Sequence, residues 1–489
     1  MDTILKKIKQ KGEKNSKLLT ILFLVFSIIF AIPSIIYYLK NKTIFGFKDY
    51  YFFLTNSIRT DFQAVIYIVI LAVITFLYYL IIKNQEKIFK NIKEIIVFIA
   101  LASLIFLVVI PFNCSDVFYY LGIGRLSSKY GQNPYYTTIT EYVNNNQSQT
   151  EDDTIIMQSS INDWANTTVV YGPIWTLICS GVSGASFGNV DLGLMLFKIL
   201  NLLIHLVNCY LIYILSKSKK FAIIYGLNPF MLLEGIMAVH NDIFVVLFIL
   251  LGLYFLLNRK KILPAITMLA IASAIKYFSV ILLPMFILYY FREEKISKRV
   301  IYCIKYGLIF IVIFLLPYLL YAQDINVFLG LVTQQGKLAK NFYIILKQYF
   351  EEVTPNIIND TNKILLIGFV IYYLCTWLRL LFEKKIKLNN LAREYEIIIA
   401  LFIFLIITNF QPWYIMWLFP LFMWLKPKYI KLIIQLSILS QFANSIFIAY
   451  TESWKNGVPF TIIMITGTLI CIILNNKGDY IERKSTKDI

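Results

Sequence analysis

Charge is scarce in this chain. Asp, Glu, Lys and Arg make up 15% of its 489 residues, against about 25% in a typical soluble domain. Histidine is nearly absent, with His205 and His240 as the two copies, so a metal centre built from histidine alone is excluded. The six cysteines (Cys114, Cys179, Cys209, Cys303, Cys375, Cys471) are scattered, most of them inside apolar stretches. That spacing fits neither a disulfide framework nor a cysteine-based metal site. The basic N-terminal stretch Lys6 to Lys17 lacks a small-residue cleavage site after it, so the first apolar run is expected to stay in the protein. An internal repeat is also lacking.

What fills the chain instead is apolar. Hydrophobic residues make up 59% of it and mean hydropathy is +0.69. Runs of ~20 apolar residues, each long enough to cross a bilayer as a helix, recur from end to end, more than one soluble core can absorb. They predict an all-α polytopic membrane protein of about 13–14 spans, at 19–39, 62–83, 94–112, 192–215, 221–238, 241–257, 262–275, 278–291, 300–321, 362–382, 394–410, 412–426, 428–449 and 458–475. A net charge of +18 would suggest nucleic-acid binding in a soluble chain. Here Lys and Arg gather in alternate short loops, including 87–93, 217–220, 259–261, 292–299, 384–387 and 426–431, which is the pattern of cytoplasmic loops. Nucleic acid is therefore not an expected partner, and both termini are expected on the cytoplasmic side of the cell membrane.

The expected organisation is one integral membrane domain, 1–489. N-terminal spans occupy 1–112, a large extracytoplasmic loop 113–191, a transmembrane bundle 192–475 and a cytoplasmic tail 476–489. This threading requires the apolar stretch 171–187 to lie along the outer surface rather than cross. Residues 40–61 argue against it, because an outer loop there carries Lys40, Lys42, Lys48 and Arg59. Within the large loop, Ser115 to Tyr130 has helical spacing, Gly131 to Pro134 is a turn signal, and the polar segment 144–163 is expected to be mobile. A second outer segment, 322–361, is expected to hold a short surface helix around Phe342–Phe350.

Ionisable groups in or beside membrane spans are costly and so mark functional candidates. Asp116 follows the third span among apolar and aromatic neighbours, Tyr119 and Tyr120 included; partial desolvation there makes a carboxylate a better base. The alternative is that Ser115 or Asp116 simply caps a helix. Glu234, His240, Asn241 and Asp242 lie at the junction of two apolar helices. They fit a hydrated cavity, a structural hydrogen-bond network, or a metal site in which His240 and Asp242 are ligands; a divalent metal stays open. Lys276, between the two shortest spans, calls for an anion, either a phosphate or one of Asp116, Glu234 and Asp242. Gln411, Trp413 and Tyr414 form an aromatic turn that suits an interfacial belt or a sugar ring. Lys198 and His205 lie seven apart on one span, with Lys198 placed to help hold an anion.

Taken in order, these motifs resemble the GT-C superfamily of membrane glycosyltransferases, and most nearly its bacterial mannopyranosyltransferase-like branch, which uses polyprenyl-phosphate sugars. The matching segments are Asp116 to Tyr120, Gly124-Arg125, Gly131 to Tyr135 with Asn133 inside it, Tyr171 to Trp175, Asn228-Pro229, Glu234-Gly235, His240 to Asp242, Lys276, and Gln411 to Tyr414. They run from about residue 110 to 425. The resemblance implies a catalytic base at Asp116 and a lipid-linked donor; the chain has no Asp-x-Asp pair of the kind that holds a metal-bound nucleotide sugar. It also implies an inverting transfer of mannose or another hexose to a glycan or glycolipid acceptor. Lys276, Arg125, Lys198 and His240 are expected near the donor phosphate. Tyr119, Tyr120, Asn133, Tyr135, Tyr171, Glu234, Asn241, Asp242, Gln411, Trp413 and Tyr414 are expected near acceptor or sugar. Two rivals stay open. One is a polymerase or ligase taking glycan from a diphosphate-linked lipid; the other is a transporter or flippase, which the missing repeat speaks against.

Overall fold

A computed structural model describes residues 2–42, 61–335, 355–407, 409–450 and 458–485. Among them the chain is helical, with no strand, and it is an all-helical polytopic membrane protein. Among the described residues, five helices are long and apolar enough to cross a membrane, or six if one bent pair counts as a single span. The chain divides into two compact units, Met1–Val280 with Ile309–Val332, and Ile281–Leu308 with Thr333–Ile489.

The first unit opens with three apolar helices, α1 (Asp2–Asn41), α2 (Asp61–Ile88) and α3 (Ile92–Leu107). Asn91 starts α3 by accepting the backbone N–H of Glu94 at 3.1 Å, and Glu94 reaches back to the N–H of Lys90 at 2.8 Å. That exchange caps the helix reciprocally. The loop that follows is more ordered than its composition predicts. It carries α4 (Asp116–Ser128), α5 (Ile139–Asn145), α6 (Gln147–Thr150), α7 (Thr154–Ser160) and α8 (Pro173–Ala185). The expected mobility of 144–163 gives way to helices for a physical reason. Ile155 and Ile156 are buried, and Asp153 caps α7 while accepting hydrogen bonds from Arg125 Nε (2.7 Å), Lys129 Nζ (2.9 Å) and the Tyr130 hydroxyl (3.0 Å). Burial pushes the Asp153 carboxyl up, but Arg125 and Lys129 more than offset it and hold it below the ordinary aspartate range.

Helix α8 has 13 residues, or about 20 Å at 1.5 Å per residue, short of a hydrocarbon core of ~30 Å. It packs along α4 so closely that a Cβ on Gly124 would lie 2.2 Å from the Cys179 carbonyl oxygen. After α8 comes the long α9 (Val190–Ser216), then α10 (Lys219–Gly226), a π-helical turn at Met231–Met237, α11 (Asp242–Leu257) and α12 (Ile262–Ser273). The π turn and α11 meet at 106°, so the two expected spans 221–238 and 241–257 join at a sharp break. Residues 222–246 are buried throughout.

A break in apolar surroundings leaves carbonyls without helical partners, and each needs a donor. One face of α9 supplies them. Asn201 Nδ2 donates to the Gly235 carbonyl (2.7 Å) and His205 Nε2 lies 3.0 Å from that of Gly226, while Asn208 Nδ2 bonds the Ile243 carbonyl within the first turn of α11 (3.0 Å). Lys198 Nζ donates to the Leu107 carbonyl at 2.9 Å and also to that of Val109, closing the end of α3. These four positions are spaced three, four and three apart, which puts them on one side of a helix.

The second unit carries α13 (Leu283–Tyr290), α14 (Ile296–Leu315, whose last residues belong to the first unit), α16 (Pro355–Phe382), α17 (Leu388–Leu401), α18 (Pro427–Tyr450) and α19 (Val458–Ser485); a short α15 (Leu329–Gln335) falls where the two units divide. The expected span 412–426 is instead two short 3-10 turns, Pro412–Leu418 and Phe422–Trp424. Pro412 and Pro420 remove backbone donors eight residues apart, which interrupts an α-helix. The surface helix expected around 342–350 and most of the basic loop 40–61 lie outside the described residues.

Candidate active site

Asp116 is the first residue of α4, but the Ser115 side chain does not cap that helix. The carboxyl is buried, 6% exposed. Burial raises its pKa above the ordinary aspartate value of 3.8, against the opposing pull of a Cys114 hydrogen bond and the Lys276 charge. The Tyr120 hydroxyl stands 3.5 Å from Asp116 Oδ2, and His240 Nδ1 stands 3.8 Å from the same oxygen. On its other edge, His240 Nε2 lies 3.1 Å from Glu234 Oε2. Glu234 Oε1 accepts from Asn113 Nδ2 at 2.9 Å. Asp116, His240 and Glu234 thus form a buried row anchored by Asn113, a residue that sequence reasoning passed over although it sits three positions before Asp116.

The break in the chain presents this row. Glu234 lies in the π turn, and the His240 N–H donates to the Glu234 carbonyl at 3.1 Å. Between them Val239 takes φ +62°, a left-handed conformation that a β-branched side chain rarely adopts. Strain of this kind costs on the order of 1–3 kcal/mol and persists only where surrounding contacts impose it. Here it turns His240 toward Asp116.

Lys276 closes the site. Its ammonium donates to both oxygens of Asp242, at 2.8 and 2.9 Å, and lies 3.4 Å from Asn241 Oδ1. It also sits 6.0 Å from the centre of the Tyr171 ring. Tyr171 is held in place by its neighbours: its hydroxyl is 3.4 Å from that of Tyr120, and its carbonyl accepts from Tyr135 at 2.9 Å. The start of α8 after it bonds to the turn before Lys276, with Gly172 N–H donating to the Ile275 carbonyl and Ile174 N–H to that of Ala274, each at 3.1 Å.

Gly172 permits that approach, since a Cβ there would lie 2.1 Å from the Ala274 carbonyl oxygen. Gly172→Ala is therefore expected to part the two segments and lower stability by about 1–3 kcal/mol, the usual cost of overpacking. A thermal melt of the purified variant checks this; an unchanged midpoint would contradict the tight approach.

The structure therefore gathers Asp116, Tyr120, Tyr171, Glu234, His240, Asn241, Asp242 and Lys276. It engages other expected site residues elsewhere. Arg125 is paired with Asp153, and Lys198 is held by two carbonyls, so neither is carried further as a phosphate ligand. Tyr119 donates to the Thr167 carbonyl at 3.2 Å and Asn133 to that of Tyr321 at 2.6 Å. Gln411, Trp413 and Tyr414 belong to the second unit, where Gln411 donates to Asn409 at 2.8 Å and Tyr414 stacks on Trp417 at 4.5 Å. Of the expected ligand pair, Asp242 pairs with Lys276, while His240 stands beside Asp116 and Glu234.

A family model described as the N-terminal domain of alpha-(1->6)-mannopyranosyltransferase matches residues 39–292. The alpha-(1->6)-mannopyranosyltransferase A of Corynebacterium glutamicum is 29% identical over 128 residues, covering 25% of this chain and 26% of that relative. The match thus spans about a quarter of the relative's length. No solved structure matches the chain.

Proposed function

Because the chain belongs to the alpha-(1->6)-mannopyranosyltransferase family through residues 39–292, we propose that it transfers a mannosyl or related hexosyl group to a glycan or glycolipid acceptor at the extracytoplasmic face. The donor in this reading is a polyprenyl-phosphate sugar. Asp116 takes the proton of the acceptor hydroxyl, whose oxygen attacks the anomeric carbon with inversion. The bond from that carbon to the phosphate oxygen breaks, and polyprenyl phosphate leaves. Lys276 offers the charge that the departing phosphate needs in a low-dielectric setting, exchanging Asp242 for it.

The observation that carries the reading is the buried convergence of one carboxylate of raised pKa with a Lys276–Asp242 pair. A base and an anion partner side by side are what an acid–base transfer with an anionic leaving group requires. Purified protein given polyprenyl-phosphate hexose and polyprenyl-diphosphate glycan side by side tests the donor. Transfer from the second alone would replace this reading with a polymerase or ligase. The 106° break carrying buried acidic residues is also a transporter's device. Flux into proteoliposomes without a new glycosidic bond would support that class instead.

The pH dependence has a definite sign. A base acts when deprotonated, so transfer should fall on acidification. Because burial raises the folded-state pKa of the metal-free group, ionising Asp116 costs stability there: its contribution is full below 3.8 and lost as pH rises through the folded value. A pH–rate profile that does not fall on acidification would remove Asp116 from the role of base.

A further inference from the structure

Cys114, Asp116 and His240, all buried, each bring one ligand-type atom to a spot where the three lie within 4.8 Å of one another. Cys114 Sγ accepts the Asp116 backbone N–H at 3.3 Å, and His240 Nδ1 is 3.8 Å from Asp116 Oδ2. Ligands on a tetrahedral zinc at 2.0–2.3 Å stand about 3.5 Å apart, so small side-chain rotations close this triangle.

Two independent features of the surroundings point the same way. The first is orientation. Glu234 lies 3.1 Å from His240 Nε2 and is itself held by Asn113 at 2.9 Å. With the imidazole proton on Nε2, beside that carboxylate, the Nδ1 lone pair faces Cys114 and Asp116, the carboxylate–histidine–metal order that fixes a ligand's tautomer. The second is charge. The carboxyl groups of Asp116, Glu234 and Asp242 are all buried around one imidazole and one ammonium, and a bound cation favours the ionised form of such groups.

We infer that Cys114, Asp116 and His240 form a three-ligand site for a zinc-type divalent ion, oriented by Glu234. One sulfur, one nitrogen and one oxygen donor suit zinc or cobalt rather than magnesium or calcium. Three protein ligands leave a fourth position for water or a substrate oxygen. Asp116 binds through one oxygen, and its second stays available to accept a proton. The inference deepens the transfer reading and rests on it for the ion's use, but not for its binding.

The test uses full-length, tag-free protein in detergent, stripped with a chelator and titrated with Co²⁺. Wild type should take up about one ion per chain and show a sulfur-to-cobalt charge-transfer band. Cys114→Ser should lose that band. Glu234→Gln should keep it while binding roughly 10–100-fold more weakly. X-ray absorption of the wild-type ion gives the answer without a variant, as one sulfur scatterer at about 2.3 Å. Failure to bind Co²⁺, or a band that survives in Cys114→Ser, overturns the site. Transfer by a protein that takes up no Co²⁺ and shows no band on titration overturns the inference and leaves the transferase reading standing. A band without transfer supports the site and removes the transferase reading.

Discussion

Asp116→Asn is expected to lower sugar transfer by roughly 10²–10⁴-fold, the range that a positioned general base supplies, while the protein stays folded. Asparagine keeps the size of the side chain and its place at the start of α4, so the packing around Tyr120 and His240 is retained. What disappears is the ability to take a proton. Since the wild-type carboxyl is buried and its pKa is raised by that burial, a neutral side chain there does not add a desolvation cost. In chelator-stripped protein, where no ion ligand is lost, the melting midpoint should therefore hold or rise, while transfer collapses in the ion-loaded variant. Single-turnover transfer measured beside a thermal melt separates the two effects. Near-full transfer in a well-folded Asp116→Asn protein would end the assignment of Asp116 as base.

The sequence made the position of this residue visible, because an acidic group directly after an apolar run is conspicuous. Spacing also located the five helices that, among the described residues, are long and apolar enough to cross a membrane, or six with the bent pair, against the 13–14 spans expected. It did not show where helices break, because apolar periodicity marks a buried face and is silent on continuity. The 106° turn before α11 therefore reads in sequence as an ordinary junction of two spans. The same blindness affected Lys198. A polar group on an apolar helix looks like a ligand contact until the broken segments it serves are seen; Lys198, Asn201 and His205 meet the carbonyls of three such segments. For Arg125 the charge was visible but the partner was not. Its partner, Asp153, lies 28 residues away, in a segment whose polar composition hid two buried isoleucines. Gly172 was visible within its motif, but its purpose, a backbone approach to Ala274, required the fold.

The Lys276–Asp242 pair allows stability and chemistry to be told apart. Both side chains are shielded, at 13% and 0% exposure, and removing one member of a buried pair leaves the other uncompensated. Lys276→Met is therefore expected to destabilise the protein by about 3–5 kcal/mol. Lys276→Met with Asp242→Asn removes both charges and should recover most of that loss, since a neutral pair has far less to desolvate. Transfer should not recover with it. If the ammonium meets the leaving phosphate, the double variant remains folded but slower by roughly 10²–10³-fold, the scale of losing one preorganised charge donor at a developing anion. Melting midpoints for the wild type, both single variants and the double variant close a thermodynamic cycle, and single-turnover rates on the same four proteins close a kinetic one. A double variant that regains both stability and transfer would make Lys276 a structural partner of Asp242 alone. Phosphate recognition would then have to come from another group in the site.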